Sequence, residues 1–456
     1  MSSPKRHVRG ALLLYHRPAL FPDAATISDH INAFERYSRF PFWKLNTDQG
    51  FPRRLAALSF DLIVVHYSVF ASGPAPYMLD EGFLGYLDAA ERSYKLAFFQ
   101  DEHQYCQKRF AFLDRYRFDC VYTCIEPEYF DQTYRRYTRV PTLVSHVPAY
   151  VHPHMLATAE SLHRPDGERD TDIGYRARPT PPFFGRGGME KVEIAERFRE
   201  RAAADLRLDV SVREQDRLYG DAWYRFMARC KGFLGTESGA SCVDLEDEVR
   251  EEYEALLAAG ENPTIERLEQ GALGRWDWKV PLRTTSSRHF EAAALRICQV
   301  MYEGRYSGAL RPMEHYIPLK KDLSNFDEVI EAFRDPAVRR ELAENAHRDL
   351  IASGDYSYER FIAGFDQALI DAGLSPPGRA PDPAEVQQQL GGRSIYRAFR
   401  RYIGGATFWL YRRYPRIWRF TVPPLRLAIY IASRPIVWPT RQIARLVTKR
   451  RSATAP

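Results

Sequence analysis

Residues 61–68 read Asp-Leu-Ile-Val-Val-His-Tyr-Ser, a short apolar run that begins after an aspartate and ends at a histidine. A run this short and this rich in β-branched residues is typical of a strand buried on both faces. Comparable runs occur in the first 150 residues at 11–15, 41–45, 96–99, 120–125 and 142–147. Amphipathic stretches of helical length separate several of them, so the alternation predicts a parallel sheet covered by helices.

The alternation breaks between Pro148 and about Asp170 and then restarts. The second half has predicted strands at 172–175, 206–212, 232–235, 297–302 and 315–319, and a polar, helix-rich insertion from about 245 to 274. We therefore expect an α/β fold of two tandem doubly wound Rossmann-like domains, over 8–150 and 170–372, that face a cleft. Because ligands of such sheets lie beyond the carboxyl ends of the strands, site residues should follow strands.

Charge is divided unevenly along the chain. The 456 residues carry 65 Lys+Arg and 59 Asp+Glu, but from Val386 onward there are 15 basic and no acidic residues. The sequence therefore predicts a Pro-rich linker over 373–385 and a basic, aromatic, amphipathic helical tail over 386–456. Arginines and aromatic residues together suit the headgroup region of an anionic membrane surface. Nucleic acid is a less favoured partner, because prolines interrupt any continuous helix that could enter a groove. A protein partner, or docking of the tail onto the acidic body of the chain, is the other alternative.

Composition excludes several classes of protein. Hydrophobic residues are 45% and charged residues 27%, as in folded proteins, and six cysteines are too few for a disulfide scaffold. No apolar run reaches about 18 residues, and the apolar start at 11–15 is followed by no cleavage site of a signal peptide. We expect a cytoplasmic protein that lies peripherally on the inner membrane.

Two loops of the second domain have the composition of anion sites. One follows the strand at 172–175, is rich in Arg, Pro and Gly, and leads into a helix; the other follows the strand at 232–235. Guanidinium groups bind phosphate bidentately, and glycines let backbone amides approach an anion. The alternatives are solvated arginines and an ordinary small-residue turn. The candidates are Arg176, Arg178 and Arg186 in the first loop, and Gly235 and Gly239 in the second.

The stretch 284–294, Thr-Thr-Ser-Ser-Arg-His-Phe-Glu-Ala-Ala-Ala, predicts a serine-capped helix. Ser287, Arg288 and Glu291 then lie at its start, with Arg288 and Glu291 on one face. A carboxylate there can accept both hydroxyls of a ribose while the first amides face a phosphate. A carboxylate that only complements the helix dipole is the alternative.

The run from Arg288 through Ala352 resembles the C-terminal half of group 1 glycosyltransferases of the GT-B fold, in particular the spore-maturation-type, GT4-like branch. The segment "RHFEAAA" resembles the family's Arg-x-Phe-Glu-Ala helix start, whose glutamate binds the nucleotide ribose, which implies that role for Glu291. "FRDPAVRRELAENAHRDL" resembles the family's helix that begins at Asp-Pro. The resemblance also implies a final helix, at 358–372, that crosses back to the first domain.

The resemblance implies a donor-sugar loop in "YEGRYSG", residues 302–308, with Glu303, Gly304 and Tyr306 as contacts. It also implies retention of the anomeric configuration. One position departs from the pattern. Many relatives carry two glutamates eight positions apart, and the first of these falls at Arg283 here.

In the first domain, two strand ends carry acid–base groups. The strand at 62–66 ends in His66, and the strand at 96–99 is followed by Gln-Asp-Glu-His, which includes Asp101. Either side chain could position or deprotonate an acceptor hydroxyl. The alternatives are a helix-capping aspartate and a core histidine with satisfied hydrogen bonds.

These observations predict a glycosyltransferase that moves a sugar from a nucleotide-sugar donor to a lipid-linked or polysaccharide acceptor. Arg176 and Arg186 would act on the leaving diphosphate, with Arg178, so we expect no metal and no cofactor beside the nucleotide-sugar substrate. A nucleotide-sugar epimerase and a catalytically silent GT-B-like scaffold protein of polysaccharide assembly are the alternatives.

Overall fold

The computed structural model describes residues 6–8, 10–17, 25–70 and 78–377. All of these residues belong to one structural unit. The predicted tail over 386–456 and most of the predicted linker lie outside the described residues. Within the described ranges, no helix combines the length and the apolar character needed to cross a bilayer.

The first lobe is built on a six-stranded, wholly parallel sheet in the order β3-β2-β4-β5-β6-β7. Its strands are β2 Ala11–Tyr15, β3 Phe42–Asn46, β4 Leu62–Val65, β5 Tyr94–Phe98, β6 Cys120–Thr123 and β7 Thr142–Ser145. Its helices are α1 Ala25–Tyr37, α2 Glu81–Ala89, α3 Cys106–Arg115 and the short α4 Tyr134–Tyr137. The predicted first sheet is confirmed.

Successive residues of the central strands enter two different cores. Leu62 and Val64 of β4 pack on one face of the sheet, and Ile63 and Val65 pack on the other. Because side chains alternate across a strand, a strand covered on both sides must be apolar at every position. This is the physical reason for the unbroken Leu-Ile-Val-Val run.

The second lobe repeats the plan with a parallel five-stranded sheet in the order β14-β13-β10-β8-β9. Its strands are β8 Thr171–Arg176, β9 Leu208–Ser211, β10 Cys230–Gly235, β13 Cys298–Tyr302 and β14 Ile317–Leu319. Its helices are α6 Arg186–Arg201, α7 Asp221–Ala228, α11 Ser287–Ala294, α12 Phe326–Arg334 and α13 Pro336–His347. Two doubly wound lobes are therefore present, as predicted; α5 Pro153–Ser161 lies in the connection between them.

The insertion of the second lobe closes on itself through an antiparallel pair, which the sequence did not predict. β11 Ser238–Ala240 pairs with β12 Leu282–Thr284 across about forty residues of chain. Between them lie α8 Glu248–Ala258, α9 Ile265–Glu269 and α10 Leu273–Trp276, which share a small core with Phe183. Residues 238–240 of the segment after β10 therefore form a strand, where the sequence predicted a continuous open loop.

The last helix, α14 Tyr358–Asp371, returns to the first lobe. Phe365 packs in the core beside β2 and β4, and the buried Asp366 accepts hydrogen bonds from Ser38 Oγ at 2.6 Å and Arg39 N at 2.7 Å. β15 Leu374–Ser375 then pairs with β1 Arg6–His7. Residues 374–375 thus extend the fold, although the linker was predicted to begin at 373.

Candidate functional site

A cavity of about 210 Å³ lies between the two lobes. The first lobe contributes residues at the start of α1, after β5 and after β7, and the second contributes the ends of β8 and β10, helix α6 and the start of α11. Its lining residues are Thr26, Gln100, Pro148, Ala149, Tyr175, Lys191, Leu234, Gly235, Thr236, Ser238, Ser286, Ser287, Arg288 and His289. The prediction that candidate residues follow strands at the lobe interface agrees with this position.

Positive charge without carboxylate partners collects in and beside this cavity. Burial, together with the charges of Arg288, Arg283 and Arg178, lowers the pKa of Lys191 to about 8, against the opposing effect of Asp101. Lys191 Nζ has only the hydroxyl of Ser238, at 3.4 Å, as a hydrogen-bond partner among the described residues. Such a group of cations is stabilised by an anion placed between them.

Lys191 was missed by sequence reasoning, which looked for arginines and glycines in the loop before α6. It lies on the second turn of that helix, where a lysine is ordinary. Lys191 follows Arg178 by thirteen residues. This spacing could have indicated that the two cations lie close together, but only if the lengths of the loop and helix between them had been known. Arg178 itself is exposed, and it lies within the range of electrostatic interaction of Asp101, which is also exposed.

The serine-capped helix predicted at 284–294 is α11, and its N-terminus faces the cavity through Ser287 and Arg288. Ser286 and His289 form a capping box, in which His289 Nδ1 accepts from the Ser286 amide at 3.3 Å. Burial lowers the pKa of His289 to about 3, so the ring stays neutral and can accept that bond. The amides of Ser287 and Arg288 have no acceptor among the described residues. They are oriented toward the cavity as anion donors.

Glu291 lies on the second turn of α11 and is buried. Its Oε2 accepts a hydrogen bond from the indole Nε1 of Trp223 at 2.7 Å. Burial raises its pKa, and the Trp223 hydrogen bond and the Arg288 charge act in the opposite direction. It does not line the cavity itself, although its neighbour Arg288 does. The predicted ribose role stays a prediction.

Arg176 and Arg186 do not line the cavity, which corrects their predicted role at the diphosphate. Arg176 donates to Asp209 Oδ1 at 2.6 Å and to three backbone carbonyls. Arg186 makes a bidentate ion pair with Glu269, with both contacts at 2.6 Å. A guanidinium whose donors are already satisfied by carboxylates and carbonyls is not free to take a phosphate.

The N-terminus of α6 is likewise occupied. Asp277 Oδ2 accepts from the Arg186 amide at 3.2 Å, and Ser241 Oγ accepts from the Gly187 amide at 2.7 Å. Gly185 adopts φ 77°, and a Cβ there would lie 2.2 Å from Asp277 Oδ1. The glycines of this loop therefore leave space for the carboxylate of Asp277 and not for a ligand.

The two glycines predicted after β10 have different positions. Gly235 lines the cavity, where a Cβ would lie 2.7 Å from Met301 Sδ. Gly239 lies in β11 at φ 95°, and a Cβ there would approach Leu282 O to 2.0 Å. Gly239 thus serves the antiparallel pair and is not part of the cavity lining, contrary to prediction.

The two predicted acid–base residues of the first lobe, His66 and Asp101, differ in their exposure. Both ring nitrogens of His66 are engaged: Nε2 lies 2.9 Å from His30 Nδ1, and Nδ1 lies 2.8 Å from Ser68 Oγ. Burial lowers the pKa of His66 to about 3, and the residue is fully enclosed, so it cannot meet an acceptor. Asp101, in contrast, is exposed directly after β5.

His103, two residues beyond Asp101, is buried with both ring nitrogens unpartnered. Its ring centroid lies 4.2 Å from that of Phe184, and the charge of Lys191 contributes to lowering its pKa to about 3, after burial and Arg109. Gln100 lines the cavity with an unpartnered Oε1. Buried polar atoms without partners are rare, and of these two side chains only Gln100 lies in the cavity wall, where it indicates a place for a polar ligand.

The predicted donor-sugar loop is tied down by a buried ionic cluster. Glu237 Oε1 accepts from the amides of Arg305 at 3.1 Å and Tyr306 at 2.9 Å, and its Oε2 lies 3.4 Å from Arg283 Nε. Arg283, at the departing position, also pairs with Glu190. The cluster fixes the path of this loop.

Within that loop, Tyr306 is buried and its hydroxyl donates to Tyr302 O at 2.6 Å, so the ring is part of the core and not a sugar contact, contrary to prediction. Gly304 lies against Glu237, which a Cβ would contact at 2.8 Å. Glu303 is exposed at the carboxyl end of β13. The two residues remain candidates for the donor sugar, but neither lines the cavity.

One group in the described part of the chain has the ligand types and spacing of a metal site: Glu314, His315 and Asp349. Arg311 donates to Glu314 Oε1 at 2.6 Å and to Asp349 Oδ2 at 2.9 Å. Its charge already neutralises the carboxylates, so the group is an ion-pair network and does not fit a cation.

No protein-family model matches the chain, and no curated protein matches it by sequence. Solved structures with similar backbones include an alpha-glucosyltransferase in complex with UDP and a 13-mer DNA containing an HMU base (TM-score 0.45, 10% identity, 79% of this chain and 99% of that chain). Others are sucrose-phosphate synthase from Thermosynechococcus elongatus (0.43, 12%, 80% and 99%) and Anabaena Alr3699/HepE in complex with UDP and glucose (0.42, 11%, 80% and 99%). Because these identities and TM-scores are low, the similarity assigns no role to residues of this chain. The fold is defined by the observed sheets, and the candidate site is defined by the residues that line the cavity.

Proposed function

We propose that this protein is a glycosyltransferase that moves a sugar from a nucleoside diphosphate sugar to a hydroxyl acceptor. The observation that carries the proposal is a group of cations, Lys191, Arg288 and Arg178, that form no ion pair with a carboxylate of the described residues and lie beside the unbonded amides of α11. A diphosphate carries charge of the opposite sign and can bridge these donors.

The same group supports catalysis as well as binding. When the bond between the sugar C1 and the diphosphate oxygen breaks, the electron pair leaves with the diphosphate, and negative charge grows there. Cations already held in place stabilise this charge more than that of the bound substrate, which lowers the barrier. The sequence predicted this role for Arg176 and Arg186. We now propose it for Lys191, Arg288 and Arg178.

The acceptor side of the reaction is proposed for Asp101. The acceptor hydroxyl forms its bond to C1, and its proton passes to the Asp101 carboxylate or to solvent. The exposed position after β5 supports this role, as do the attractive charges of Lys191 and Arg178 across the lobe interface.

The test is calorimetric binding of UDP, GDP, ADP and CDP to the wild-type protein, Lys191→Gln and Arg186→Gln. We expect one nucleoside diphosphate to bind, Lys191→Gln to weaken it at least about tenfold, and Arg186→Gln to leave it unchanged. The pair also tests the corrected role of Arg186, since both variants remove one positive charge near α6. Equal losses in both would contradict the proposal, as would the absence of binding.

A catalytically silent binding protein is the second candidate, favoured by one observation. Arg283 stands where the resemblance places a carboxylate, and it is neutralised by Glu190 and Glu237. Release of free nucleotide from a panel of nucleotide-sugars distinguishes the two functions, because slow donor hydrolysis needs the catalytic machinery. An unchanged donor with intact binding supports the silent protein.

We further propose retention of configuration, and an acceptor that is lipid-linked or a polysaccharide at the cytoplasmic membrane face. The support for the location is the composition of residues 386–456, with 15 basic and no acidic side chains. Flotation of the full chain with vesicles tests it. We expect binding to phosphatidylglycerol vesicles that high salt abolishes, and none to phosphatidylcholine vesicles.

A further inference from the structure

Trp223 contacts two residues of opposite charge at the nucleotide end of the cavity. Its indole Nε1 donates to Glu291 Oε2 at 2.7 Å. The guanidinium carbon of Arg288 lies 5.8 Å from the centroid of its ring. Arg288 lines the cavity, so the indole connects the cavity wall to the buried carboxylate behind it.

The indole is held in place by the core of the second lobe. Its ring centroid lies 5.7 Å from that of Phe233 on β10, with the two planes at 89°, and 6.0 Å from that of Phe226 on its own helix. The perpendicular contact with Phe233 and the tilted contact with Phe226, at 40°, fix the rotation of the ring. The direction of its N–H is therefore set by packing, independently of any ligand.

The carboxylate keeps one oxygen available. An indole N–H only donates, and it occupies Oε2. Oε1 of Glu291 has no hydrogen-bond partner among the described residues, and it is not among their enclosed, unpartnered atoms. It can accept from a hydroxyl that enters beside Arg288.

We infer that Trp223 is the positioning residue that directs Glu291 toward a ribose hydroxyl, so that the pair selects ribonucleotides over deoxyribonucleotides. This rests on the proposed function, because it requires a nucleoside diphosphate in the cavity. The ribose follows the diphosphate in such a ligand, just as Glu291 follows Arg288 and Ser287 along α11.

The hydrogen bond also affects the charge of the carboxylate. Burial raises the pKa of Glu291, and Trp223 and then Arg288 lower it. Tyr224 on α7 is the other titratable neighbour, and burial, with the charges of Glu291 and Asp29, raises its pKa beyond the physiological range. Loss of the indole N–H therefore raises the pKa of Glu291, and the carboxyl is protonated at a higher pH.

The experiment measures binding of UDP, GDP, ADP and CDP, each with its 2′-deoxy and 3′-deoxy forms, by calorimetry from pH 5 to 8. The proteins are the wild type, Glu291→Gln, Trp223→Phe and Trp276→Phe. Trp276 is the matched control, because its Nε1 donates to Glu248 Oε2 at 3.0 Å away from the cavity.

We expect the wild type to prefer one ribonucleotide over a deoxy form by about tenfold or more, the size of a hydrogen bond to a charged group. Glu291→Gln and Trp223→Phe should lose most of this preference, and Trp276→Phe should keep it. In Trp223→Phe, the loss of preference on acidification should begin at a higher pH than in the wild type.

Three results would overturn the inference. If no nucleotide binds the wild type, the proposed function fails, and the inference fails with it. If Glu291→Gln keeps the preference, other residues recognise the ribose, although the proposed diphosphate binding is not contradicted. If Glu291→Gln loses the preference and Trp223→Phe keeps both it and the wild-type pH profile, Trp223 does not position the carboxylate. Should Trp223→Phe not fold, Trp223→Leu replaces it, because it also removes the indole N–H and leaves Glu291 in place. A retained preference with the wild-type pH profile in that variant contradicts the inference in the same way.

Discussion

At the scale of single residues, what matters is whether a charged side chain already has a partner. Arg176 and Arg186 have carboxylate partners, whereas Lys191 has none within the described part of the chain. A paired guanidinium gains little from a phosphate, since it must first break its ion pair. The pKa of Lys191 is lowered by burial and then by its cationic neighbours, so this lysine gains most from an anion.

A paired charge has a different consequence when it is buried. The side chains of Arg283, Glu190 and Glu237 are exposed by only 7%, 6% and 8%. Arg283→Met would leave two enclosed carboxylates without their common partner, so we expect a loss of about 3–5 kcal/mol in the free energy of unfolding. Urea denaturation measures it.

Arg115→Met is the control, because Arg115 pairs with Asp88 at 2.8 Å and is 64% exposed. Exposed pairs contribute about 0–1 kcal/mol, so this variant should unfold close to the wild type. If the two variants unfolded alike, the buried cluster would not have the role in holding the 302–308 loop that its hydrogen bonds indicate.

At the scale of elements, α14 follows the second lobe in sequence but completes the core of the first. Phe365 packs there with Phe34 and Phe98, at ring centroid distances of 5.1 and 6.1 Å. An amphipathic helix buries its apolar face wherever the uncovered sheet lies, and the sheet of the first lobe provides that surface.

Phe365→Ala should therefore destabilise the first lobe and not the second, although α14 follows the second lobe in the sequence. Removing a buried phenylalanine costs about 3–5 kcal/mol. Hydrogen exchange should show faster exchange in β2, β4 and α1. Phe333→Ala, which empties a comparable buried position on α12 in the second core, should instead accelerate exchange in β8 and β10. The reverse pattern would contradict the assignment of α14.

At the scale of the whole molecule, both lobes enclose neutral histidines. Burial lowers the pKa values of His66, His103 and His289 to about 3, and those of His30 and His146 are lowered as well. Between pH 6.5 and about 3 the unfolded chain binds protons at these positions and the folded chain does not. Stability should be complete above pH 6.5 and fall as the pH is lowered through that window.

Urea denaturation at pH 7.5, 6, 5 and 4 tests this expectation. His66→Gln keeps a neutral side chain that can hydrogen-bond and should flatten the decline, since each unit of pKa difference is equivalent to about 1.4 kcal/mol. His154→Gln, at an exposed position, should leave the decline unchanged. A wild-type stability that does not vary from pH 7.5 to 4 would show that these histidines are not held neutral by burial.

The sequence alone determined the features that depend on near neighbours in the chain. Apolar runs gave the strands of both parallel sheets, and Ser286 with Glu291 marked the helix whose N-terminus meets the cavity. Each pattern spans only a few neighbouring residues, so it can be recognised from the local sequence.

Only the tertiary structure decided which charges are free. Arg176 finds Asp209 33 residues away, and the Arg186 amide finds Asp277 91 residues away, so neither meets a phosphate. Lys191 remains unpaired because the fold sets it among other cations. Ion pairing depends on distances of a few ångström between residues far apart in the chain, and local periodicity contains no record of those distances.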